Sequence, residues 1–314
     1  MNQGQATGQI DRCAEIDYDV GMFTIAVRSH GKLLDYAAAH AAGYSRSKVK
    51  KLLERGLITV NGEINTRYNW EVVPGDKIGI SEQVKKTHAY PSKIISSKIE
   101  IIYEDDAIIV INKPSGLLSV ATDKIKNRTA DHELNEFLKR RDPSGKTRAL
   151  IAHRLDRNAS GILLFAKSES IKEQLQANWK QIDKKYYAIV EGSPKKNFGT
   201  IKSFLTEDKF QRVFSGRPNP ASKFSVTKYK VVKSNRERAL LEVTLETGRK
   251  NQIRVHLSDL GHPIVGDEKY GAKTNPAGRM ALHAFKLIME HPVTKEKKIF
   301  EAKLPAELRK IVPN

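Results

Sequence analysis

The chain has 314 residues, 29% charged and 39% apolar, which is too many for one ordinary core and fits a large domain joined to a smaller one. Lysine and arginine number 55 against 36 acids, a net charge of +19, so a polyanionic partner or surface is expected. No apolar run reaches the ~20 residues that span a bilayer, and the polar start MNQGQATGQIDRC has no signal-peptide core. Nucleic acid is therefore preferred over membrane.

Cys13 is the single cysteine, which excludes an internal disulfide and a thiolate zinc cluster and fits a reducing cytoplasm. The nine histidines are scattered, with no HExxH pair. No metal site is expected.

Residues 1–16 read as a flexible tail. Residues 17–80 read as a small α+β domain. Leu33, Leu34, Ala37, Ala38 and Ala41 recur at helical spacing, and Gly43 can end that helix. Ser45 can cap a second helix, RSKVKKLLER, that buries Val49, Leu52 and Leu53, with Gly56 at its left-handed C-terminal position. Its other face carries Arg46, Lys48, Lys50, Lys51 and Arg55 against one acid, Glu54. Most charge runs are solvated faces. Five cations in ten residues before a tight Asn61-Gly62 hairpin favour a helix that meets RNA phosphates.

Residues 81–98 read as a basic linker. Residues 99–314 form the large domain. The segments AIIVINKPSG, GILLFAKS, KKYYAIVEG, GTIKSFL, KFSVTKYKVV and ALLEVTLETG have strand character. Helices are expected near Arg128–Arg140, Ser168–Gln181 and Gln252–Leu260. Strands outnumber helices without strict alternation, so the fold class is α+β with a mixed, mostly antiparallel central sheet.

The stretch HRLDRNASG, His153–Gly161, places Asp156 between Arg154 and Arg157 ahead of an apolar strand. On spacing alone Asp156 is a turn residue or half of an ion pair. An aspartate is ordinarily ionised at neutral pH, which suits a nucleophile or a weak base and not a general acid. Ile162, Leu163 and Leu164 can wall an apolar pocket or belong to plain core. His256 and His262 are better explained as hydrogen-bonded structural residues than as metal ligands.

Several motifs in order change that balance. HRLDRNASGILLFAKS resembles the signature of the RluA-type RNA pseudouridine synthases. DDAIIVINKPSGLLSV, KKYYAIVEG, LETGRKNQIRVHLSDLGHPIVGDEKYG and RMALHAFKLIMEHPVTKE resemble further segments of that family, over residues 99–305. SRSKVKKLLERGLITVNG and VVPGDKIGI are similar to the S4-like RNA-binding module. The resemblance implies a pseudouridine synthase catalytic domain behind an S4-like domain. It implies isomerisation of uridine in structured RNA without a cofactor, with Asp156 as catalytic carboxylate, Tyr186 packed against the base and Arg254 paired with the aspartate. Arg154 would fill the space of a flipped nucleotide. From the residues alone, Arg249 either contacts phosphate or is a solvated charge. Large-subunit ribosomal RNA is the first substrate implied and transfer RNA the second; the protein is expected as a monomer.

The chain departs from the family pattern twice. Ala159 stands where Thr is usual in Thr-Ser-Gly, and Asn251 replaces the His of G-R-x-H-Q. Those departures motivate one alternative, a degenerate synthase retained as an RNA-binding or ribosome-assembly protein. A carboxylate hydrolase acting on sugars is a third reading, and it lacks a second catalytic acid.

Overall fold

The computed structural model describes residues 14–17, 22–41, 43–81, 93–94, 99–142 and 147–313. The chain divides into two compact units, residues 1–87 with 292–295, and residues 88–291 with 296–314.

The first unit packs two helices, Leu33–His40 and Arg46–Glu54, with a five-stranded antiparallel sheet. Ser45 caps the second helix, its hydroxyl accepting from the Lys48 amide at 3.2 Å. Gly56 leaves that helix at φ +63°. Val49, Leu52 and Leu53 face a core that includes Leu33, Ile58, Ile78 and Ile80. Asn61 and Gly62 both take positive φ between strands Ile58–Val60 and Glu63–Ile64, the geometry a tight hairpin demands.

Two segments read as tail and linker are partly strand. Ala14–Asp17 pairs with Met22–Ala26, and Lys93–Ile94 pairs with Glu100–Ile101. Each is a short edge strand whose main-chain hydrogen bonds need little help from side chains. Most of the 81–98 segment, and the tail before Ala14, lie outside the described residues.

The second unit is built on a twelve-stranded sheet among the described residues. Every pairing in it is antiparallel except one. Strand Ser160–Ala166 runs parallel to Leu282–Glu290 through Ser160↔His283 and Gly161↔Ala284. On one side of this seam stand Leu150–Ile151, Ile108–Lys113 and Glu100–Glu104. On the other stand Asp183–Glu191, Arg238–Leu245, Lys223–Ser234, Phe198–Glu207 and Val213–Gly216.

Gly161 is required at the seam. It has φ +112°, and a Cβ there would lie 2.2 Å from the carbonyl oxygen of Ala284. No other residue permits so close an approach of two backbones. The loop holding Asp156 runs directly into this position.

Helix Gln252–Asp259 covers one face of the far half-sheet. His256 binds it there, with Nδ1 at 2.8 Å from Thr227 Oγ1 and Nε2 at 2.9 Å from Ser203 Oγ. His262 Nδ1 donates to the Glu191 carbonyl at 2.8 Å. Both histidines have the structural role read from the sequence.

Candidate active site

A cleft of about 420 Å³ opens over the seam and is lined by the loop 152–156 and the segment 248–254. Asp156, Tyr186, Arg254, Arg154 and Arg249 all line it. Its apolar walls include Ala152, Leu155, Ala159, Leu245, Ile253 and Leu282. Ile162, Leu163 and Leu164 are fully buried strand core instead. Alternation along a strand buried on both faces gives no sign of which side is a pocket.

The Asp156 loop is fixed by the turn that follows strand Ile108–Lys113. The Ser119 hydroxyl donates to the Leu155 carbonyl at 2.9 Å and accepts from the Leu155 amide at 3.0 Å. Ser115 Oγ donates to the Asn158 carbonyl at 2.7 Å. Gly116 and Arg157 exchange two bonds: the Gly116 amide donates to the Arg157 carbonyl at 2.9 Å, and Arg157 Nε donates back to the Gly116 carbonyl at 3.0 Å. Arg157 is thus a loop brace.

Lys113 is fully buried, and its Nζ lies within hydrogen-bond distance of four carbonyl oxygens: Pro114 at 2.9 Å, Leu117 at 2.8 Å, Arg157 at 3.2 Å and Ala159 at 2.7 Å. Burial pulls its pKa down to about 7, with the Arg279 charge acting in the same direction and Asp156 opposing. The ammonium ties both sides of the Asp156 loop to one point.

Asp156 itself is lightly held. Its side-chain partner among the described residues is Arg254, with Nη1 at 3.3 Å from Oδ2. The rest of the guanidinium is committed elsewhere. Nε and Nη2 each donate to the Asp267 carboxylate at 2.7 Å, a bidentate pair in which Asp267 is buried. Nη1 also donates to Asn251 Oδ1 at 3.0 Å. The guanidinium carbon stands 4.7 Å from the centre of the Tyr270 ring. Burial would lower the Arg254 pKa, but Asp267 more than offsets this and holds it charged.

The principal carboxylate partner of Arg254 is therefore Asp267, and Asp156 is its second. Asn251 explains one departure from the family pattern. It stands at the N-terminal boundary of helix Gln252–Asp259 at φ +53°, a conformation asparagine tolerates better than most residues. Its amide accepts from Arg254 and donates to the Tyr270 hydroxyl at 3.0 Å. Ala159 is buried among apolar neighbours, where a hydroxyl would need a partner of its own.

Tyr186 reaches the cleft from strand Asp183–Glu191. Burial, and then the Asp156 charge, push its pKa up, so the hydroxyl stays protonated. Beside it lies a stacked group that the sequence does not announce. The His153 ring is 4.4 Å from Trp179, and Lys184 donates to the Trp179 carbonyl at 2.8 Å. His153 Nε2 accepts from the Leu164 amide at 3.1 Å, and burial pulls its pKa down to about 3. It is a neutral ring that orients the loop.

Arg154 and Arg249 are exposed and carry no ion pair among the described residues. In the first unit, Arg46 pairs with Asp35 at 2.8 Å and Lys48 lies 4.2 Å over the Tyr44 ring. Lys50, Lys51 and Arg55 are exposed without a carboxylate partner among the described residues. No group of three His, Cys, Asp or Glu side chains among the described residues is placed to hold a metal. No helix among them is long and apolar enough to cross a membrane.

Comparison with known proteins agrees with this geometry. Residues 107–259 match the RNA pseudouridylate synthase family, and residues 33–78 match the S4 domain. A ribosomal large subunit pseudouridine synthase D from Vibrio cholerae is 33% identical over 88% of this chain and 89% of its own. An RNA pseudouridine synthase from Bacillus subtilis, YlyB, is 32% identical over 89% of this chain and 92% of its own. Among solved structures, human RNA pseudouridylate synthase domain containing 4 superposes with a TM-score of 0.57 at 27% identity, covering 68% of this chain and 94% of that one.

Proposed function

Because this chain belongs to the RNA pseudouridine synthase family, we propose that Asp156 is its catalytic carboxylate and that its substrate is large-subunit ribosomal RNA. One observation carries the assignment of Asp156. It is a carboxylate facing a cleft, in contact with a single donor of an arginine whose other donors are locked to Asp267. The side chain is positioned and keeps most of its acceptor capacity for a substrate. The names of relatives such as that from Vibrio cholerae support the ribosomal target.

The reaction breaks the bond from uracil N1 to ribose carbon 1 and forms one from uracil C5 to the same carbon, with the C5 proton lost and a proton gained at N1. Substrate and product are isomers, so no oxidant or energy source enters the balance. Asp156 serves as nucleophile in this exchange. Arg254 keeps the carboxylate aimed. The protonated Tyr186 hydroxyl supplies a hydrogen-bond donor beside the base. The apolar walls exclude water from the detached uracil. A uridine in RNA structure must leave its stack to reach the cleft, at a cost of a few kcal/mol. Arg154 at the rim fills the space it vacates, and Arg249 takes phosphate. Lys50, Lys51 and Arg55 on the S4 helix add sequence-independent affinity.

The test uses ribosomal RNA from cells lacking the protein, labelled with uridine tritiated at carbon 5. The wild-type chain is expected to release tritium, and Asp156→Ala to release none while melting normally. Release by Asp156→Ala at the parent rate would remove Asp156 from the mechanism. Release from transfer RNA alone would move the substrate.

A further inference from the structure

The half-sheet under helix Gln252–Asp259 has a second face. Ser203 and Thr227 point toward the helix through His256. Residues alternate along a strand, so their neighbours point the other way. The register puts Phe204 opposite Phe224, Thr206 opposite Phe214 and Phe198 opposite Lys230. Directly opposed residues share a side, which collects these aromatics with Lys202 and Lys230 on one uncovered surface. Phe198 is 76% exposed, Phe224 46% and Phe214 44%. The Phe204 and Phe224 rings lie 5.2 Å apart.

Two quantities set the segment that carries this surface apart from the rest of the chain. Of nine exposed large apolar side chains among the described residues, five fall within residues 198–232. Residues 195–233 also hold ten lysines and arginines against two acids, +8 of the chain's +19. Both acids are occupied. Glu207 pairs with Lys250, and the Asp208 carboxylate accepts from the backbone amides of Phe210 and Arg212. Lys202 and Lys230 have no ion pair among the described residues.

We propose that this face binds an unpaired segment of the substrate RNA, bases stacking on the phenylalanines and phosphates meeting the lysines. The proposal rests on the RNA substrate argued above. Every base offers a stacking face and every nucleotide a negative charge, so aromatic rings interleaved with free lysines match single-stranded RNA. A second copy of the chain would bring one cationic face against another and is disfavoured.

The test is fluorescence anisotropy with a labelled single-stranded RNA of about ten nucleotides, repeated with 4-thiouridine in the probe for photo-crosslinking. The variants are Phe198→Ala with Phe224→Ala, and Lys202→Gln with Lys230→Gln. The aromatic pair is expected to weaken binding about tenfold without changing the melting temperature, and the lysine pair to flatten the salt dependence. Crosslinks should fall in 198–207 and 223–234. Affinity within about twofold of the parent for both variants, with crosslinks elsewhere, overturns the proposal. So does a wild-type dimer that dissociates in the aromatic variant while RNA affinity is unchanged. Tritium release with an inert surface would leave the enzymatic reading standing and end this one. A responsive surface in a protein that releases no tritium would do the reverse.

Discussion

The helix Arg46–Glu54 and the cleft around Asp156 both present cations, and they hold them in opposite ways. On the helix, Lys50, Lys51 and Arg55 project into solvent from a scaffold packed through Val49, Leu52 and Leu53 beneath and capped by Ser45. In the cleft, Arg254 is clamped by Asp267, Asn251 and the Tyr270 ring before any substrate arrives. The difference separates two tasks. Phosphate attraction is long-ranged and tolerates mobile, replaceable charges. Bond rearrangement needs a carboxylate held within a fraction of an ångström, and so needs a buried, over-determined neighbour.

The sharpest way to break this contrast is Asp267→Asn. It keeps the shape and removes the charge that locks the guanidinium. Turnover is expected to fall about a hundredfold, with little change in RNA affinity. A change confined to KM would mean that Arg254 is a binding residue like those on the helix.

Next in size is an effect of pH on stability, expected from the larger unit. His283 is buried, its Nδ1 2.8 Å from Ser160 Oγ and its Nε2 donating to the Ala302 carbonyl at 3.1 Å. Burial pulls its pKa down to about 4, and that of His153 to about 3. An unfolded histidine takes its proton near pH 6.5. Between about 6.5 and 4 the unfolded state therefore binds more protons, and stability falls as pH drops. The slope should approach about 1.4 kcal/mol per pH unit for each histidine. Urea unfolding at pH 7.5 and pH 5 measures it, and His153→Gln should remove about half the slope. The smallest effect belongs to the helix. Lys50→Gln with Lys51→Gln should weaken RNA binding a few-fold and flatten the salt dependence by about one to two ions. An unchanged slope would make the helix a solvated face.

Local chemistry was readable from the sequence and long-range chemistry was not. The Ser45 cap, the Gly56 exit and the Asn61-Gly62 turn are each decided within four residues, and each lies where the pattern put it. Asp156, Tyr186 and Arg254 were singled out by ordered motifs, and the fold gathers them in one cleft. Asp267 carries no sequence signal, because an acid beside a turn glycine has no periodic signature and its partner lies 13 residues away. Lys113 was hidden for the same reason. Its acceptors at Arg157 and Ala159 are 44 and 46 residues distant. Arg157 carries no local signal of its role, because its brace runs to a backbone carbonyl 41 residues back. The strands Ala14–Asp17 and Lys93–Ile94 have the sequence character of tail and linker because edge pairing draws on main-chain groups common to all sequences.

The parallel seam at Gly161 has a kinetic consequence. Ser160 and His283, paired across it, are 123 residues apart in the chain, and such distant pairings close slowly. During synthesis, at about 5–20 residues per second, the strand after Asp156 is complete several seconds or more before its partner exists. Its apolar edge must spend that interval without the neighbour that covers it. The strand that follows the Asp156 loop therefore needs protection from aggregation while the protein is being made.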